Sequence, residues 1–269
     1  MCYPTNNPDE PPRNLRTLLR PIIEQCEEST LVVAHLLGPF HRDGRTYALP
    51  RFLRLNETAM NGALATSSCG ASTIAIYSGF DGRDGRITQC CLEFLQDAIF
   101  GTPVADAACL AFYPLCNPSG WVNSLAITPD RVDLLNSPWT MRGVPELYLL
   151  EFELRFGGYK GLVFIDTVAE SKATLEISDN TLLESDLLVH LQSICTDQDP
   201  TEALEICAMK QTAGCVAVFD DLPEYPWLLR LRLPEAWSYD KLRLWVSRFL
   251  HKLEISHNRL LNYPHTSVA

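Results

Sequence analysis

The sequence predicts an α/β fold, with a mixed, mostly parallel twisted sheet covered by helices on both faces. Short apolar runs rich in β-branched and aromatic residues alternate along the chain with segments of helical spacing. This alternation is typical of a sheet sandwiched between helices. Several of the apolar runs are almost continuously hydrophobic, as strands buried on both faces are.

The chain starts with a polar, proline-rich stretch, and we predict a flexible arm over residues 1–12. Residues 13–269 are predicted to form a single domain, because no internal repeat and no linker rich in Gly, Ser or Pro divides them. Residues 14–28 carry leucines and isoleucines at helical spacing, which predicts an amphipathic first helix.

The remaining elements follow from the same patterns. The predicted strands are residues 31–37, 47–55, 73–78, 109–114, 162–166, 215–219 and 228–233, and the predicted helices are residues 86–99, 145–156 and 239–253. Ligands of open α/β sheets bind beyond the carboxyl ends of strands. We therefore expect the functional site in the loops after Ser78, Pro114, Asp166 and Phe219.

The composition restricts the class of partner. A formal net charge of −11 disfavours nucleic acid and anionic membranes, since both would repel most of the surface. The ten cysteines include no CxxC pair, and we expect neither a signal peptide nor a membrane-spanning segment, since the first residues are polar and no stretch of about 18 apolar residues occurs. We expect a cytoplasmic protein with reduced thiols, no membrane contact, and a protein or small molecule as its partner.

The first of the four loops carries the sequence Gly-Phe-Asp-Gly-Arg-Asp-Gly at residues 79–85, directly after an apolar strand. This segment resembles the zinc carboxypeptidases, in particular their succinylglutamate desuccinylase and aspartoacylase relatives, which have Gly-x-His-Gly-x-Glu at this place. The resemblance puts Asp81 at the position of the histidine ligand and Asp84 at that of the glutamate ligand.

The second loop gives the most specific local match. Residues 113–121 contain Pro-Leu-Cys-Asn-Pro-Ser-Gly-Trp, which is similar to the Pro-x-x-Asn-Pro-x-Gly-aromatic segment of the family. The match includes Asn117 and Trp121. Since Asn and Gly tolerate unusual φ angles and Pro fixes its own, this segment also predicts a tight turn.

The family continues with an arginine that holds a substrate carboxylate and with an Asp-Leu-Asn-Arg motif. Here the corresponding stretches are residues 124–126 and 133–136, and they offer Ala126 and Asn136 without either arginine. The resemblance makes Asn117, Trp121, Ala126, Asn136 and Trp139 candidates for the lining of a cleft. The two tryptophans either contact a ligand there or fill the space of the missing arginines.

Two further positions complete the implied site. The third zinc ligand of the family, a histidine at a strand end, falls on Asp166 by spacing. The segment at residues 218–223 resembles the strand that carries the catalytic glutamate, with Asp220 in its place. The resemblance extends over residues 47–233, so it covers most of the chain.

The implied ligand set is wrong for zinc. Zinc hydrolases use borderline-soft ligands, usually two histidines and a carboxylate, whereas Asp81, Asp84 and Asp166 provide no nitrogen donor. If the loops fold as in the family, the three aspartates converge and hold Mg²⁺, Mn²⁺ or Ca²⁺. The alternative is that Asp81 and Asp84 are turn residues paired with Arg83, Arg86 or water.

Asp220 likewise has two interpretations. It is either a general base, or an ordinary strand-end aspartate paired with Arg230 or Arg232.

The leading prediction is a catalytically inactive relative of the zinc carboxypeptidases and desuccinylases, with no cofactor, that acts as a binding or regulatory protein. Its partner would be a protein, or a small molecule in the former active-site cleft. The alternative is a hydrolase of acylated amino acids or short peptides that uses a hard divalent cation at the all-aspartate site.

Overall fold

The computed structural model describes residues 13–55, 73–100, 109–178, 204–209, 213–222 and 226–261. The predicted flexible arm, residues 1–12, lies outside the described residues.

The described helices and strands follow the predicted alternation. The helices are α1 (Leu15–Glu27), α2 (Arg86–Phe100), α3 (Pro118–Val122), α4 (Pro145–Phe156) and α5 (Tyr239–Leu261). The strands are β1 (Val32–Arg42), β2 (Arg45–Arg54), β3 (Thr73–Tyr77), β4 (Cys109–Tyr113), β5 (Gly161–Val168), β6 (Thr174–Ile177), β7 (Glu205–Ala208) and β8 (Trp227–Pro234).

All these strands join one eight-stranded sheet in the order β1-β2-β4-β3-β5-β8-β6-β7. Four neighbouring pairs are parallel: β4 with β3, β3 with β5, β5 with β8, and β6 with β7. The β1–β2, β2–β4 and β6–β8 pairs are antiparallel. The predicted mixed, mostly parallel sheet is confirmed.

Two hydrophobic clusters form the core, and successive residues of the central strands alternate between them. Ile74 and Ile76 of β3 belong to a first core cluster with side chains of α1, α2 and α5. Ala75 and Tyr77 belong to a second core cluster with side chains of α4 and of residues 214–221. Because side chains alternate across a strand, this pattern fixes the face of the sheet on which each strand-end residue lies.

The predicted strand at residues 215–219 is wrong. Gly214–Asp221 forms a 3₁₀-helix whose apolar residues Cys215, Val218 and Phe219 pack in the second core cluster. A short apolar run bounded by polar residues fits a buried strand and a buried helical turn equally well, so the pattern alone could not separate them. The four-residue strands β6 and β7 were not predicted.

Helix α4 begins as the sequence predicts, with Pro145 in its first turn and Glu146 beside the positive helix end. The Glu146 side chain is fully buried. It accepts a hydrogen bond from the Ser119 hydroxyl of α3 and from Arg42 of β1. Burial raises the pKa of Glu146, and the bond from Ser119 and the charge of Arg42 oppose this. The contacts join α3 and β1 to the start of α4.

The thiols of Cys26, Cys91 and Cys116 are free and buried. Burial raises the pKa of Cys26 to about 11 and that of Cys91 to about 12. Buried neutral thiols of this kind act as small hydrophobic side chains.

Candidate functional site

The carboxyl ends of β3, β4 and β5 meet at one edge of the sheet, because these strands are parallel neighbours. The loop after β3 carries Asp81 and Asp84, the loop after β4 carries Asn117, and Asp166 lies near the end of β5. The end of β8 lies beside that of β5. We call this region the strand-end site.

Asp81 is held by its own turn. Its carboxylate accepts hydrogen bonds from the backbone N–H of Arg83 at 2.8 Å and from the Arg83 Nη2 at 2.7 Å. Both side chains are well exposed, at 38% for Asp81 and 51% for Arg83. The predicted pairing of Asp81 with Arg83 as a turn residue is confirmed, and an exposed pair of this kind contributes about 0–1 kcal/mol.

Asp84 connects three parts of the strand-end site. Its carboxylate accepts bonds from the backbone N–H of Arg86 at 3.0 Å, from the Arg86 Nη2 at 2.7 Å and from the Thr167 hydroxyl at 3.0 Å. Arg86 in turn donates to the backbone carbonyls of Glu235 and Trp237, just after β8. The predicted pairing of Asp84 with Arg86 is confirmed.

Burial acts to raise the pKa of Asp84, but the hydrogen bonds from Arg86 and Thr167 outweigh it and hold the pKa below its ordinary value. A depressed carboxyl pKa stabilises the folded state above the pKa of the unfolded chain, and this stabilisation is lost as the pH falls.

We expect Asp84→Asn to lower the free energy of unfolding by about 1–2 kcal/mol at neutral pH, because charged hydrogen bonds to Arg86 are lost. The difference from the parent should vanish between about pH 5 and pH 2, as the parent carboxyl becomes protonated. Urea unfolding across this range measures it. Asp81→Asn is the matched control, with an effect below about 0.5 kcal/mol at every pH. A deficit of Asp84→Asn that does not change with pH would contradict the assignment.

Asp166 is paired with an arginine of the neighbouring strand. Its Oδ2 accepts a hydrogen bond from the Arg230 Nη2 at 2.7 Å, and the Arg230 side chain is only 7% exposed. Burial raises the pKa of Asp166, while the charges of Arg230 and Arg232 oppose this. The other carboxylate oxygen, Oδ1, is buried and has no hydrogen-bond partner.

The pair belongs to a larger ion-pair cluster of Asp166, Arg230, Glu176 and Arg232. Arg232 Nη1 lies 3.2 Å from Glu176 Oε1, and Arg230 Nη1 lies 3.9 Å from Glu176 Oε2. Glu176 is 3% exposed, so its charge depends on these two guanidinium groups for compensation. The cluster carries two carboxylates and two guanidinium groups.

The ion-pair cluster was not predicted, although the sequence contains a signal for it. Residues 228–233 read Leu-Leu-Arg-Leu-Arg-Leu, and Leu229, Leu231 and Leu233 belong to the first core cluster. Side chains alternate along a strand, so Arg230 and Arg232 lie together on the opposite face of β8. Alternating arginines on a buried strand require buried anions opposite them, which here are Asp166 and Glu176.

A small cavity of about 280 Å³ adjoins the ion-pair cluster. Its lining is mostly polar and charged: Glu170, Ser171, Lys172, Thr174, Glu176, Glu205, Cys207 and Arg232. Arg232 Nη2 also lies 3.3 Å from Glu170 Oε1, which connects the cluster to the rim of the cavity.

Asn117 has a structural role instead of lining a cleft. It is fully buried and caps α3, where its Oδ1 accepts a hydrogen bond from the Gly120 N–H at 2.8 Å. Its Nδ2 donates to the Phe80 carbonyl at 3.0 Å. The predicted tight turn is wrong: Pro118–Val122 is a short α-helix, and Asn117 precedes it with an ordinary φ of −118°. The two bonds of Asn117 connect the loops after β3 and β4.

The two tryptophans differ in position. Trp139 is fully buried, donates from Nε1 to the Leu134 carbonyl at 2.9 Å, and packs edge-on against Tyr77. It is therefore a core residue, and the proposal that it lines a cleft is wrong. Trp121 is half-buried, with the Arg13 guanidinium carbon 5.7 Å from its ring centroid.

Ala126 and Asn136 stand in the two stretches where the family has arginines, and neither side chain carries a positive charge to bind an anion. Ala126 is half-buried and offers only a methyl group. Asn136 donates from Nδ2 to Asp133 Oδ2 at 2.8 Å, so its amide nitrogen is used within its own turn, whereas its Oδ1 is buried and accepts no hydrogen bond.

Asp220 does not lie on a strand of the sheet. It belongs to the 3₁₀-helix Gly214–Asp221, and the strand beside β5 is β8. Arg230 and Arg232, the partners suggested for Asp220, contact Asp166 and Glu176. The assignment of Asp220 to a strand of the sheet is wrong.

The three aspartates do not form one group. Asp84 accepts a hydrogen bond from Thr167 of β5. Asp166 comes directly before Thr167 in that strand, so its side chain lies on the opposite face of the sheet, where it is paired with Arg230. Among the described residues, no three or more His, Cys, Asp or Glu side chains are placed to hold a metal ion together. The donor set also lacks the imidazoles that zinc prefers, so the residues present do not fit a zinc ion.

The helices were also compared with the requirements for crossing a membrane. Within the described ranges, no helix combines the length and apolar character needed to cross a bilayer.

No family model and no curated protein matches the sequence. The fold, however, is shared with solved structures. A metallo-carboxypeptidase from Burkholderia cenocepacia superimposes with a TM-score of 0.70 and 12% identity over 93% of this chain and 70% of that one. Carboxypeptidase A from Helicoverpa armigera gives a TM-score of 0.65 and 10% identity over 92% and 74% of the two chains.

A third solved structure, of bovine thrombin-activatable fibrinolysis inhibitor in complex with tick carboxypeptidase inhibitor, gives a TM-score of 0.66. The identity is 11%, over 93% of this chain and 98% of that one. Identities this low show the fold alone. This chain has the metallocarboxypeptidase fold.

Proposed function

We propose that this protein is a catalytically inactive member of the metallocarboxypeptidase fold that acts as a binding or regulatory protein in the cytoplasm. One observation carries the proposal. Each aspartate that the sequence resemblance assigns to a metal-ligand position of the family is bonded to an arginine: Asp81 to Arg83, Asp84 to Arg86 and Asp166 to Arg230.

The arginines supply the positive charge that a metal ion would otherwise bring. Arg230 is 7% exposed and forms a 2.7 Å bond to Asp166, so a cation binding there has to displace a buried guanidinium group from its partner. Arg230 would keep only the more distant Glu176, at 3.9 Å, and breaking a buried ion pair costs about 3–5 kcal/mol. The site is therefore arranged against metal binding.

The proposal includes the finer architecture and ancestry predicted from the sequence. Helices on both faces of the sheet are supported by the alternation of β3 residues between the two core clusters. Descent from the desuccinylase and aspartoacylase branch rests on the motifs at residues 79–85 and 113–121.

We further propose that the partner is a protein, or a small polar molecule bound in the cavity beside the ion-pair cluster. The cavity volume of about 280 Å³ suits a molecule smaller than most drugs, and its lining is rich in charged groups. The net charge of −11 supports the exclusion of nucleic acid and anionic membranes.

One feature favours the alternative, a hydrolase of acylated amino acids or short peptides with Mg²⁺, Mn²⁺ or Ca²⁺. The Asp166 Oδ1 is a buried oxygen without a hydrogen-bond partner. Hard cations prefer such oxygen ligands, although they need about six of them.

Metal content and metal-dependent stability decide between the two functions. We expect protein purified without chelator to contain less than about 0.1 equivalent of zinc, and its melting temperature to change by less than about 1 °C with millimolar Mg²⁺, Mn²⁺, Ca²⁺ or Zn²⁺. Ligand at 100 times its Kd would add about 2.7 kcal/mol. A rise of several degrees that disappears in Asp81→Asn/Asp166→Asn would establish the hydrolase alternative instead.

A further inference from the structure

Helix α4 exposes aromatic side chains along one line. Tyr148, Phe152 and Phe156 are 60%, 47% and 68% exposed. They follow one another at intervals of four residues, so they form one stripe about 12 Å long. Met141, just before the helix, is 45% exposed. We call these four residues the α4 face.

The α4 face contains a groove as well as projecting rings. The groove has a volume of about 750 Å³ and runs between the turn at Met141–Val144 and the exposed side of α4. The rings of Phe152 and Phe156 lie 4.6 Å apart at its edge. A surface with projections and a groove in the same patch can fit a second copy of itself across a two-fold axis.

The area agrees with such an interface. Taking about 200 Å² for each aromatic side chain, the three rings expose about 350 Å² in total. A stable dimer buries about 800 Å² on each partner, of which somewhat more than half is apolar. The stripe therefore supplies most of the apolar area that one partner needs.

The charge around the α4 face also permits a second copy. The groove is lined by Arg142, Glu151 and Arg155, a local balance of +1 on a chain whose net charge is −11. Arg155 is bonded to Glu151 and to Asp221 at 2.9 and 2.8 Å within its own chain. This patch thus lacks the excess negative charge that makes most of the surface repel another copy.

We propose that the protein forms a symmetric dimer through the α4 face, with the two α4 helices packed antiparallel. Phe152, the middle residue of the stripe, lies next to the two-fold axis. Tyr148 of each protomer faces Phe156 of the other. This interface is independent of the strand-end site, so it holds whether or not the site is catalytic.

Sedimentation velocity of the full chain from about 1 to 100 µM tests the dimer. We expect the parent to dimerise in this range, and Phe152→Glu to weaken dimerisation by at least about tenfold. Phe100→Glu is the matched control, since Phe100 at the end of α2 is 76% exposed and lies outside the α4 face. It should dimerise as the parent does.

Two outcomes overturn the proposal: a parent that is monomeric throughout this range, and a dimer that Phe152→Glu leaves unchanged. Unfolding is excluded as the cause if both variants keep the far-ultraviolet circular dichroism of the parent and unfold cooperatively, since loss of the dimer by itself lowers the melting temperature. As a second readout, Phe152→Cys should form a disulfide-linked dimer on mild oxidation and Phe100→Cys should not. Equal cross-linking of both would also reject the interface.

Discussion

Replacing Trp139 by alanine is expected to lower the free energy of unfolding by about 3–5 kcal/mol. The indole is fully buried, and its ring packs against Tyr77 at 5.3 Å and Phe164 at 6.0 Å between centroids. The substitution leaves a cavity in the second core cluster and removes the Nε1 bond to the Leu134 carbonyl. Chemical denaturation of the purified variant measures the loss.

Trp121→Ala is the matched control, because both tryptophans are candidates for the cleft in the sequence. Trp121 is half-buried and contacts Arg13. Its loss should cost about 1–2 kcal/mol, through partial burial and a cation–π contact. Equal losses for the two variants would show that Trp139 does not have the core role assigned to it.

The second large effect concerns Gly82, in the loop that carries Asp81 and Asp84. A Cβ atom at Gly82 would lie 2.3 Å from the backbone carbon of Gly120 and 2.5 Å from the Leu125 carbonyl oxygen. Backbone atoms cannot give way as a flexible side chain does, so the two loops must separate. We expect Gly82→Ala to cost about 3 kcal/mol or more, measured as above.

Gly85→Ala, three residues further along the same loop, separates this steric effect from a general loss of glycine. A Cβ at Gly85 meets only the Trp121 side chain, at 3.0 Å from Nε1, and that ring can shift. We expect its cost to stay below about 1 kcal/mol. If Gly82→Ala is as stable as Gly85→Ala, the close approach of the loops after β3 and β4 is wrong.

The sequence predicted the central strands well because their burial is complete. All five residues of β3 and all five of β4 are buried. A continuous apolar run of this length is not expected in a strand that has one face in solvent, so it indicates a strand covered on both faces. Strands β6 and β7 have four residues each, too few for a periodic signal, and are defined by pairing with β8 and with each other. Pairing partners distant in the sequence cannot be identified from local pattern.

Part of the strand-end site was also predictable. Aspartates followed two residues later by arginines form local turns, so the pairing of Asp81 and Asp84 could be deduced from spacing. The pairing of Asp166 with Arg230 could not, because 64 residues separate them and only the order of strands brings them together. Because residues 215–219 were wrongly assigned to a strand, the sequence did not show that β8 is the neighbour of β5 and carries the arginine that pairs with Asp166.

The irregular pairing between β1 and β2 affects whether the edge of this sheet can pair with a strand of another molecule. Strand β1 ends the sheet order, and within the described residues its outer edge pairs with no other strand. The register with β2 shifts between Leu37 and Phe40, at Gly38 and Pro39. Proline offers no N–H to an incoming strand, and an irregular edge cannot be matched along its full length. The β1 edge of the sheet is thereby a poor template for strand addition and for growth into fibrous aggregates.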